Sequence, residues 1–293
     1  MGCGGGTRDI PHGALIQMGF IDRRDAGRRL SQALSGLRGS GVVVVGLPRG
    51  GVPVAFEVAR ALHAPLDVIV VRKLGVPFQP ELAMGAIGEE GALVVDNGLV
   101  QALGVTQKEL LAVVAEQRIE VEQRVRRFRG DRPRIPFNGQ HVVIVDDGLA
   151  TGATATAACQ VARAQGAFKI TVAVPVSSSV SAEKLARVAD DVVCLEQPDP
   201  FYAVGQSYAD FVQTSDKEVV ELLRERADEF QGSGFLEQMR RPRHDFELVL
   251  AAQSSCCKAI QFENDLVLYA SYKRRSPAHQ GKPIPRKFRP TTP

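Results

Sequence analysis

At 293 residues, with 44% hydrophobic and 24% charged residues, the chain has the length and composition of one large α/β domain with appendages. Its net charge of +3 is unevenly spread, because residues 272–293 hold seven of the 36 Lys and Arg residues and no acid. The remainder is mildly acidic, so nucleic-acid binding is not expected. The five cysteines are odd in number and lack CxxC spacing, which argues against structural zinc and a disulfide framework. Since neither a membrane-spanning run nor a signal peptide is recognisable, we expect a cytoplasmic protein without membrane partners.

The sequence divides into three segments of different character. Residues 1–19 are glycine-rich and without pattern, which predicts a disordered lead-in. Residues 20–230 alternate between apolar runs and amphipathic stretches, as one folded domain does. From residue 231 to 293 the pattern changes to short apolar runs and a basic, proline-rich tail, so we expect an irregular C-terminal extension.

The folded segment has the element order of a doubly wound parallel sheet. Continuous apolar runs indicate strands buried on both faces, and 3.6-residue periodicity indicates helices. The predicted strands are 41–45, 67–71, 93–96, 142–145, 169–176 and 192–195. The predicted helices are 22–37, 54–62, 106–129, 155–165, 181–189 and 215–230. We therefore predict an α/β fold with its binding crevice at the carboxyl ends of the strands.

One long excursion, residues 76–138, interrupts this alternation. Its first part, residues 77–91, is punctuated by Gly and Pro and is predicted to be a loop; no role is assigned to its glutamates, which are Glu81, Glu89 and Glu90. The helix 106–129 ends in a group of arginines, Arg124, Arg126, Arg127 and Arg129. Because the helix dipole favours cations at this end, we interpret them as a solvated helix end rather than a phosphate-binding face.

The most informative stretch is residues 142–154. The β-branched run Val142–Val145 predicts a buried strand, and two carboxylates, Asp146 and Asp147, follow it directly. A turn of small and hydroxyl residues comes next and leads into a helix. Backbone N–H groups at a helix N-terminus bind phosphate, and paired carboxylates accept hydrogen bonds from neighbouring sugar hydroxyls. The combination predicts a site for a phosphorylated sugar.

The sequence VVIVDDGLATGAT, residues 142–154, resembles the phosphoribosyl-pyrophosphate (PRPP) signature of type I phosphoribosyltransferases. Gly148 stands where that signature usually has an apolar residue. The resemblance implies that Asp146 and Asp147 hold the ribose hydroxyls and act in catalysis. It also implies a 5′-phosphate-binding turn, made of Ala150, Thr151, Gly152, Ala153 and Thr154.

Two further segments are similar to pyrophosphate-binding parts of the same family. The run GLPRGGVP, residues 46–53, resembles the loop that binds pyrophosphate after an early strand, which implies roles for Arg49 and Gly50. The pair Arg72 and Lys73, predicted to leave the second strand, resembles the Arg-Lys pair of adenine-type members, with Lys73 in a catalytic position. The excursion that follows would be the family's mobile flap.

The accepting base is less well defined by the sequence. An aromatic-bearing loop, residues 198–211, resembles the segment with which 6-oxopurine enzymes stack and contact the base, and Phe201 and Asp210 are the matching positions. Packing of Phe201 against the sheet edge is an equally good interpretation. Ala150 stands where 6-oxopurine enzymes have Asp, as in adenine enzymes. The resemblance therefore favours a purine-like base without selecting one.

The resemblance implies a homodimeric enzyme that uses Mg²⁺ and PRPP to convert a nitrogenous base to a nucleoside monophosphate, with release of pyrophosphate. One alternative is a binding protein that senses PRPP or a nucleotide without turnover. Another gives residues 231–293 a docking or linker function. Each remains open at the level of sequence.

Overall fold

The computed structural model describes residues 19–231, 257–262 and 265–271, and side chains within residues 19–230. The strands are β1 (Val43–Gly46), β2 (Leu66–Val68), β3 (Val71–Val76), β4 (Gln79–Gly88), β5 (Leu93–Val95), β6 (His141–Val145), β7 (Lys169–Val176), β8 (Asp191–Glu196), β9 (Cys257–Phe262) and β10 (Asp265–Ser271). The helices are α1 (Arg23–Ala33), α2 (Gly51–Leu62), α3 (Asn97–Ala102), α4 (Gln107–Arg129), α5 (Ala153–Ala164), α6 (Ser179–Leu185) and α7 (Asp216–Gln231). Within these ranges, none of the helices has the length and apolarity needed to cross a bilayer.

The central sheet is parallel, with strand order β2-β1-β6-β7-β8. Neighbouring side chains on a strand point to opposite faces, so Val142 and Ile144 of β6 join one apolar layer while Val143 and Val145 join the other. Helices α5 and α6 cover the first face, and α2, α4 and α7 cover the second. The continuous β-branched runs are therefore buried on both sides, which confirms the predicted doubly wound sheet.

A second sheet, of order β3-β4-β5-β10-β9, corrects the interpretation of the excursion. Residues 77–91, predicted as a loop, contain the ten-residue strand β4, which pairs antiparallel with β3 and β5. Because it contains glycines, this strand has the sequence pattern of a loop. A Cβ at Gly85 would overlap the carbonyl oxygen of Val94, so β4 and β5 can approach this closely only with glycine at that position. The short strand predicted at 93–96 is confirmed.

The C-terminal extension also differs from expectation. Strands β9 and β10 form an antiparallel pair within the segment predicted to be irregular, and β10 adds to β5 in parallel. The predicted lead-in, residues 1–19, lies outside the described residues except for Gly19, and so does the basic tail, residues 272–293.

Helix α4 begins with a capping box between Thr106 and Glu109 and ends at Gly130, whose φ is +58°. The solvated end predicted for its arginines is wrong for Arg129. Arg129 is 6% exposed and forms ion pairs with Asp67 and Glu89. Arg124 lines a cavity described below, whereas Arg126 and Arg127 are exposed.

Candidate active site

The carboxyl ends of β1 and β6 place the first glycine loop beside the acidic pair. These two strands pair in parallel with Gly46 opposite Val145. Glycine is required in the loop by close approach rather than by unusual torsion angles: a Cβ on Gly50 would overlap the Asp147 carboxylate. A Cβ on Gly51 would lie 2.6 Å from the carbonyl oxygen of Val145. The loop and the acids therefore form one compact unit.

The surroundings of Asp146 and Asp147 disfavour the charged forms of both carboxyl groups. Burial, and after it the negative charge of Asp147, raises the pKa of Asp146 well above its usual range. Burial also raises the pKa of Asp147, but a hydrogen bond from Arg23 opposes that shift. The Asp147 amide donates to Oδ1 of Asp146 at 2.9 Å, which fixes the first carboxylate relative to the second. Two carboxylates held this way can accept hydrogen bonds from adjacent hydroxyl groups.

Arg23, at the start of α1, is a site residue that sequence reasoning missed. Its Nε donates to Oδ2 of Asp147 at 2.8 Å, and its Nη1 donates to the carbonyl oxygen of Val212 at 2.6 Å. The guanidinium carbon also lies 3.9 Å from the centre of the Phe211 ring. A double Arg at the start of an amphipathic helix was the only signal in the sequence, and such pairs are common on solvated surfaces.

The loop after β8 reaches the same place. The Tyr208 hydroxyl donates to the carbonyl oxygen of Asp147 at 2.6 Å, and burial raises the pKa of that phenol, so it remains a donor. Tyr208 packs on Phe211, with ring centres 4.9 Å apart. Residues from the first helix, the sixth strand and the late loop thus meet at Asp147.

The turn after the acidic pair has the geometry of an anion site. Gly152 has φ +70°, a left-handed conformation that favours glycine, and α5 begins at the next residue. The first turn of a helix leaves N–H groups without intrahelical acceptors. Thr151 and Thr154 are exposed beside this helix N-terminus. The carbonyl oxygen of Ala150 accepts a hydrogen bond from the Ser181 hydroxyl at 2.6 Å.

Gly148, the one departure from the family signature, has a structural reason. A Cβ at this position would lie 2.5 Å from a methyl group of Val204 and 2.8 Å from one of Val176. The loop after β8 therefore packs directly on the backbone of the phosphate turn. A larger residue at 148 would push the two apart.

A cavity of about 270 Å³ adjoins these segments. It is lined by residues of all three cationic or phosphate-binding segments predicted from the sequence. Its lining includes Leu47 and Pro48 from the first glycine loop, and Ala153 and Thr154 from the phosphate turn. The peptide bond between Pro48 and Arg49 is cis. The remaining lining residues are Ile69, Val70, Val71, Arg72, Lys73, Arg124 and Ala157. Arg124 is the second residue that sequence reasoning missed as a site residue.

The positions of the predicted cations differ from expectation. Arg72 and Lys73 lie inside β3, which pairs antiparallel with β4 in the second sheet, and not at the end of a parallel strand, because β2 already ends at Val68. Lys73 Nζ donates to the carbonyl oxygen of Glu81 at 3.1 Å and to its carboxylate at 3.3 Å. Arg49 lies nearer α7, where its Nη1 is 3.4 Å from Asp216.

The residues proposed for base recognition lie apart from this cavity lining. Phe201 is half-buried and packs on the small apolar cluster of Phe20, Val176 and Tyr208. Asp210 is exposed and accepts a hydrogen bond from the Val212 amide at 3.1 Å. Their loop nevertheless approaches the acidic pair through Tyr208.

The described residues offer few other chemistries. They contain no group of three or more His, Cys, Asp or Glu side chains that could hold a metal ion. Burial raises the pKa of the Cys159 and Cys194 thiols to about 12, so neither is a thiolate near neutral pH. What remains is an acidic pair, a following turn with the geometry of an anion site, and a cavity lined by three cationic side chains.

Comparison with known proteins identifies this arrangement. The family model described as the phosphoribosyl transferase domain matches residues 22–211, well over half of the chain. The chain belongs to the phosphoribosyltransferase family. The resemblance drawn from the signature is thereby confirmed, and the matched region of this family member contains every segment that builds the cleft.

Relatives extend the comparison beyond the family model. Two Mycobacterium tuberculosis proteins, from different strains and provisionally named phosphoribosyl transferases, are each 55% identical over 223 residues. The match covers 76% of this chain and 50% of theirs, so the chain spans about half the length of these relatives. The crystal structure of the Thermus thermophilus protein TT1426 aligns at 45% identity with a TM-score of 0.67, over 71% of this chain and 99% of that one.

Proposed function

We propose that the protein transfers the ribose 5-phosphate of PRPP to a nitrogenous base and releases pyrophosphate. The observation that carries the proposal is that the acidic pair lies against the first glycine loop at one edge of the parallel sheet, while the turn that follows the pair lines an acid-free cavity with three cationic side chains. A sugar that bears phosphate at one end and pyrophosphate at the other has this distribution of charge. Family membership supports the same reaction class.

The proposal gives each segment a task. Asp146 and Asp147 hold the 2′- and 3′-hydroxyls of the ribose. The turn from Ala150 to Thr154, with Thr151, Gly152 and Ala153, holds the 5′-phosphate at the amino end of α5. The pyrophosphate-binding residues are Arg49, Gly50, Arg72 and Lys73.

In the reaction, the bond from C1′ to the pyrophosphate oxygen breaks and a bond from C1′ to a base nitrogen forms. Positive charge develops on the ribose ring as the leaving group departs, and the carboxylates of Asp146 and Asp147 stabilise it from close range. Arg23 favours the ionised form of Asp147, because its hydrogen bond and positive charge oppose the rise in pKa that burial causes. The cations neutralise the leaving pyrophosphate, and Lys73 completes that wall from β3. Most of the catalytic effect is positioning and electrostatic stabilisation.

We propose Mg²⁺ as the cofactor, carried by the substrate. The ion takes several ligands from phosphates and water and needs only one or two carboxylates from a protein, which Asp146 and Asp147 could supply. When bound, it screens the negative charge of pyrophosphate. We further propose that the protein is a cytoplasmic homodimer. The accepting base is purine-like and is contacted by Phe201 and Asp210.

A screen of bases tests it. Pyrophosphate release from PRPP and Mg²⁺ is measured with purine and pyrimidine bases, using the intact protein and Asp147→Asn. We expect base-dependent release with one base class, and a loss of roughly 10²- to 10³-fold in turnover in the variant, by analogy with removal of one preorganised electrostatic group. Binding of PRPP without release with any base would instead identify a sensor. A loss of tenfold or less in Asp147→Asn would refute the role of the carboxylate.

A further inference from the structure

Helix α4 contributes one cationic side chain to the cavity lining, Arg124, which forms none of the ion pairs found within the described part of the chain. Three of the lining side chains are cationic, Arg72, Lys73 and Arg124, and none of the lining residues is acidic. Like charges gathered around a partly closed space repel one another at a cost that grows as water is excluded. An arrangement of this kind is stabilised when an anion enters.

The neighbours of Arg124 have partners inside the fold. Arg127, one turn further along α4, lies 3.1 Å from Asp216, and that carboxylate also binds Arg49 at 3.4 Å. Lys73 binds Glu81. In the described part of the chain, Arg124 makes none of the ion pairs within 4 Å, although Glu120 lies on the same side of the helix one turn earlier.

The electrostatic surroundings of Arg124 agree with that geometry. Burial, and after it the positive charge of Arg72, lowers the pKa of the Arg124 guanidinium, and Arg127 and Arg49 act in the same direction. An arginine remains protonated near neutral pH, so the lowered pKa reflects partial burial and then nearby positive charge, which Glu120 partly offsets, rather than loss of a proton. The guanidinium faces the space that a polyanion would fill.

We propose that Arg124 is a pyrophosphate-binding residue, which makes α4 the third wall of the anion site beside the glycine loop and β3. A planar guanidinium with five donors suits a diphosphate better than a point charge does. Binding would place one phosphate group between Arg72 and Arg124. The inference rests on the proposed function, because it concerns the leaving-group end of the same cleft.

Calorimetric titration with inorganic pyrophosphate in the presence of Mg²⁺ tests the assignment directly. We expect Arg124→Ala to weaken pyrophosphate binding roughly 10- to 100-fold, the range for a hydrogen bond to a charged group, and Arg124→Lys to recover part of the loss. Arg126→Ala, which removes an exposed arginine from the same helix, should bind within about twofold of the intact protein. Thermal unfolding of all three variants checks that each is folded.

The outcomes separate this inference from the reaction on which it rests. Unchanged pyrophosphate affinity in folded Arg124→Ala, or no pyrophosphate binding by the intact protein, would overturn the assignment. An equal loss in Arg126→Ala would also overturn it, since the effect would then be one of general charge. If Arg124-dependent pyrophosphate binding is present but no base accepts ribose 5-phosphate, the proposed transfer fails while the anion site stands.

Discussion

Arg23 and Asp147 are separated by 124 positions in the sequence and meet at a 2.8 Å hydrogen bond in the cleft. The contact does more than hold α1 in place, because it lowers the pKa of a carboxylate that burial raises. Asp147 must be ionised to stabilise positive charge on the sugar. Arg23 therefore influences the pH range over which the proposed reaction can occur.

Replacement of this arginine should change the pH dependence of activity. In Arg23→Gln the pKa of Asp147 rises further, so a smaller fraction is ionised at a given acidic pH. We expect the acid limb of the kcat/KM profile to move to higher pH, with the two proteins closest in activity at alkaline pH. The matched control is Arg24→Gln, which removes a neighbouring ion pair with Glu57. An acid limb at the same pH in Arg23→Gln and the intact protein would contradict this role.

The acidic pair and the phosphate turn could be predicted from the sequence because all of their residues lie in one continuous stretch, 142–154. Their chemistry follows from local order alone: a buried strand, two acids and a helix N-terminus. Arg23 and Arg124 could not be found in this way. Their roles depend on where a distant helix docks and which of its faces turns inward, and neither is encoded by spacing within a motif.

At the scale of elements, the glycine loop after β1 and the acids after β6 are packed so tightly that a methyl group at position 50 has no space. Gly50→Ala should therefore displace the Asp147 carboxylate or the loop. We expect loss of PRPP binding together with destabilisation of about 1–3 kcal/mol, the usual cost of overpacking. Calorimetry and chemical unfolding measure the two effects.

A second glycine provides the control. A Cβ at Gly36 would meet nothing within 4 Å, so Gly36→Ala should leave both PRPP affinity and stability nearly unchanged. Equal behaviour of the two variants would show that the contact between the loop and the acid is not needed.

A buried network of ion pairs joins helix α4 to β2 and to the residue that follows β4. Arg129 is 5% exposed at its side chain and binds Asp67, 7% exposed, at 3.0 Å; it also binds Glu89, 6% exposed. Arg129→Met would leave two buried carboxylates without their cation. Because removing one partner of a buried pair is strongly destabilising, we expect a loss of roughly 3–5 kcal/mol in the free energy of unfolding.

Arg126→Met, on the exposed side of the same helix, should change stability by less than about 0.5 kcal/mol. Chemical unfolding of both variants measures the contrast. A small effect in Arg129→Met would mean that the carboxylates find other partners or take up protons without cost.

The strands of the parallel sheet were predictable because burial on both faces demands unbroken apolar runs. Strand β4 was not, since its sequence contains proline and glycine and its pairing depends on close backbone approach to β5 rather than on side-chain pattern. The same limit applies to Arg72 and Lys73, whose assignment to a parallel strand end was wrong because β3 belongs to the second sheet and pairs antiparallel with β4. In both cases the pairing between strands determined the structure, and the apolar pattern along a single strand does not predict that pairing.

At the scale of the whole molecule, the strained acidic pair should lower global stability. The native pKa of Asp146 is raised above that of the unfolded chain, so its penalty is absent in acid, where both states are protonated, grows as pH rises above the unfolded-state pKa and is complete above the raised native pKa. Asp146→Asn keeps the acceptor for the Asp147 amide. We expect the variant to be more stable than the intact protein at neutral pH, because the amide carries no charge that burial would penalise.

The stability difference should shrink as pH falls toward the ordinary range of an aspartate. Unfolding free energies of both proteins between mildly acidic and neutral pH measure it. A difference that does not depend on pH would mean that the carboxylate is not strained in the native state. If Asp146→Asn is more stable than the intact protein but inactive, the carboxylate at position 146 serves function at the expense of stability.

The most direct test of the central claim is calorimetric titration of PRPP with Mg²⁺ into the intact protein and into Asp146→Ala/Asp147→Ala. We expect binding at micromolar concentrations by the intact protein and none by the folded double variant, because the ribose hydroxyls lose both of their acceptors. Equal binding by the two proteins would contradict the assignment of the acidic pair. No binding by the intact protein would contradict the proposed function itself.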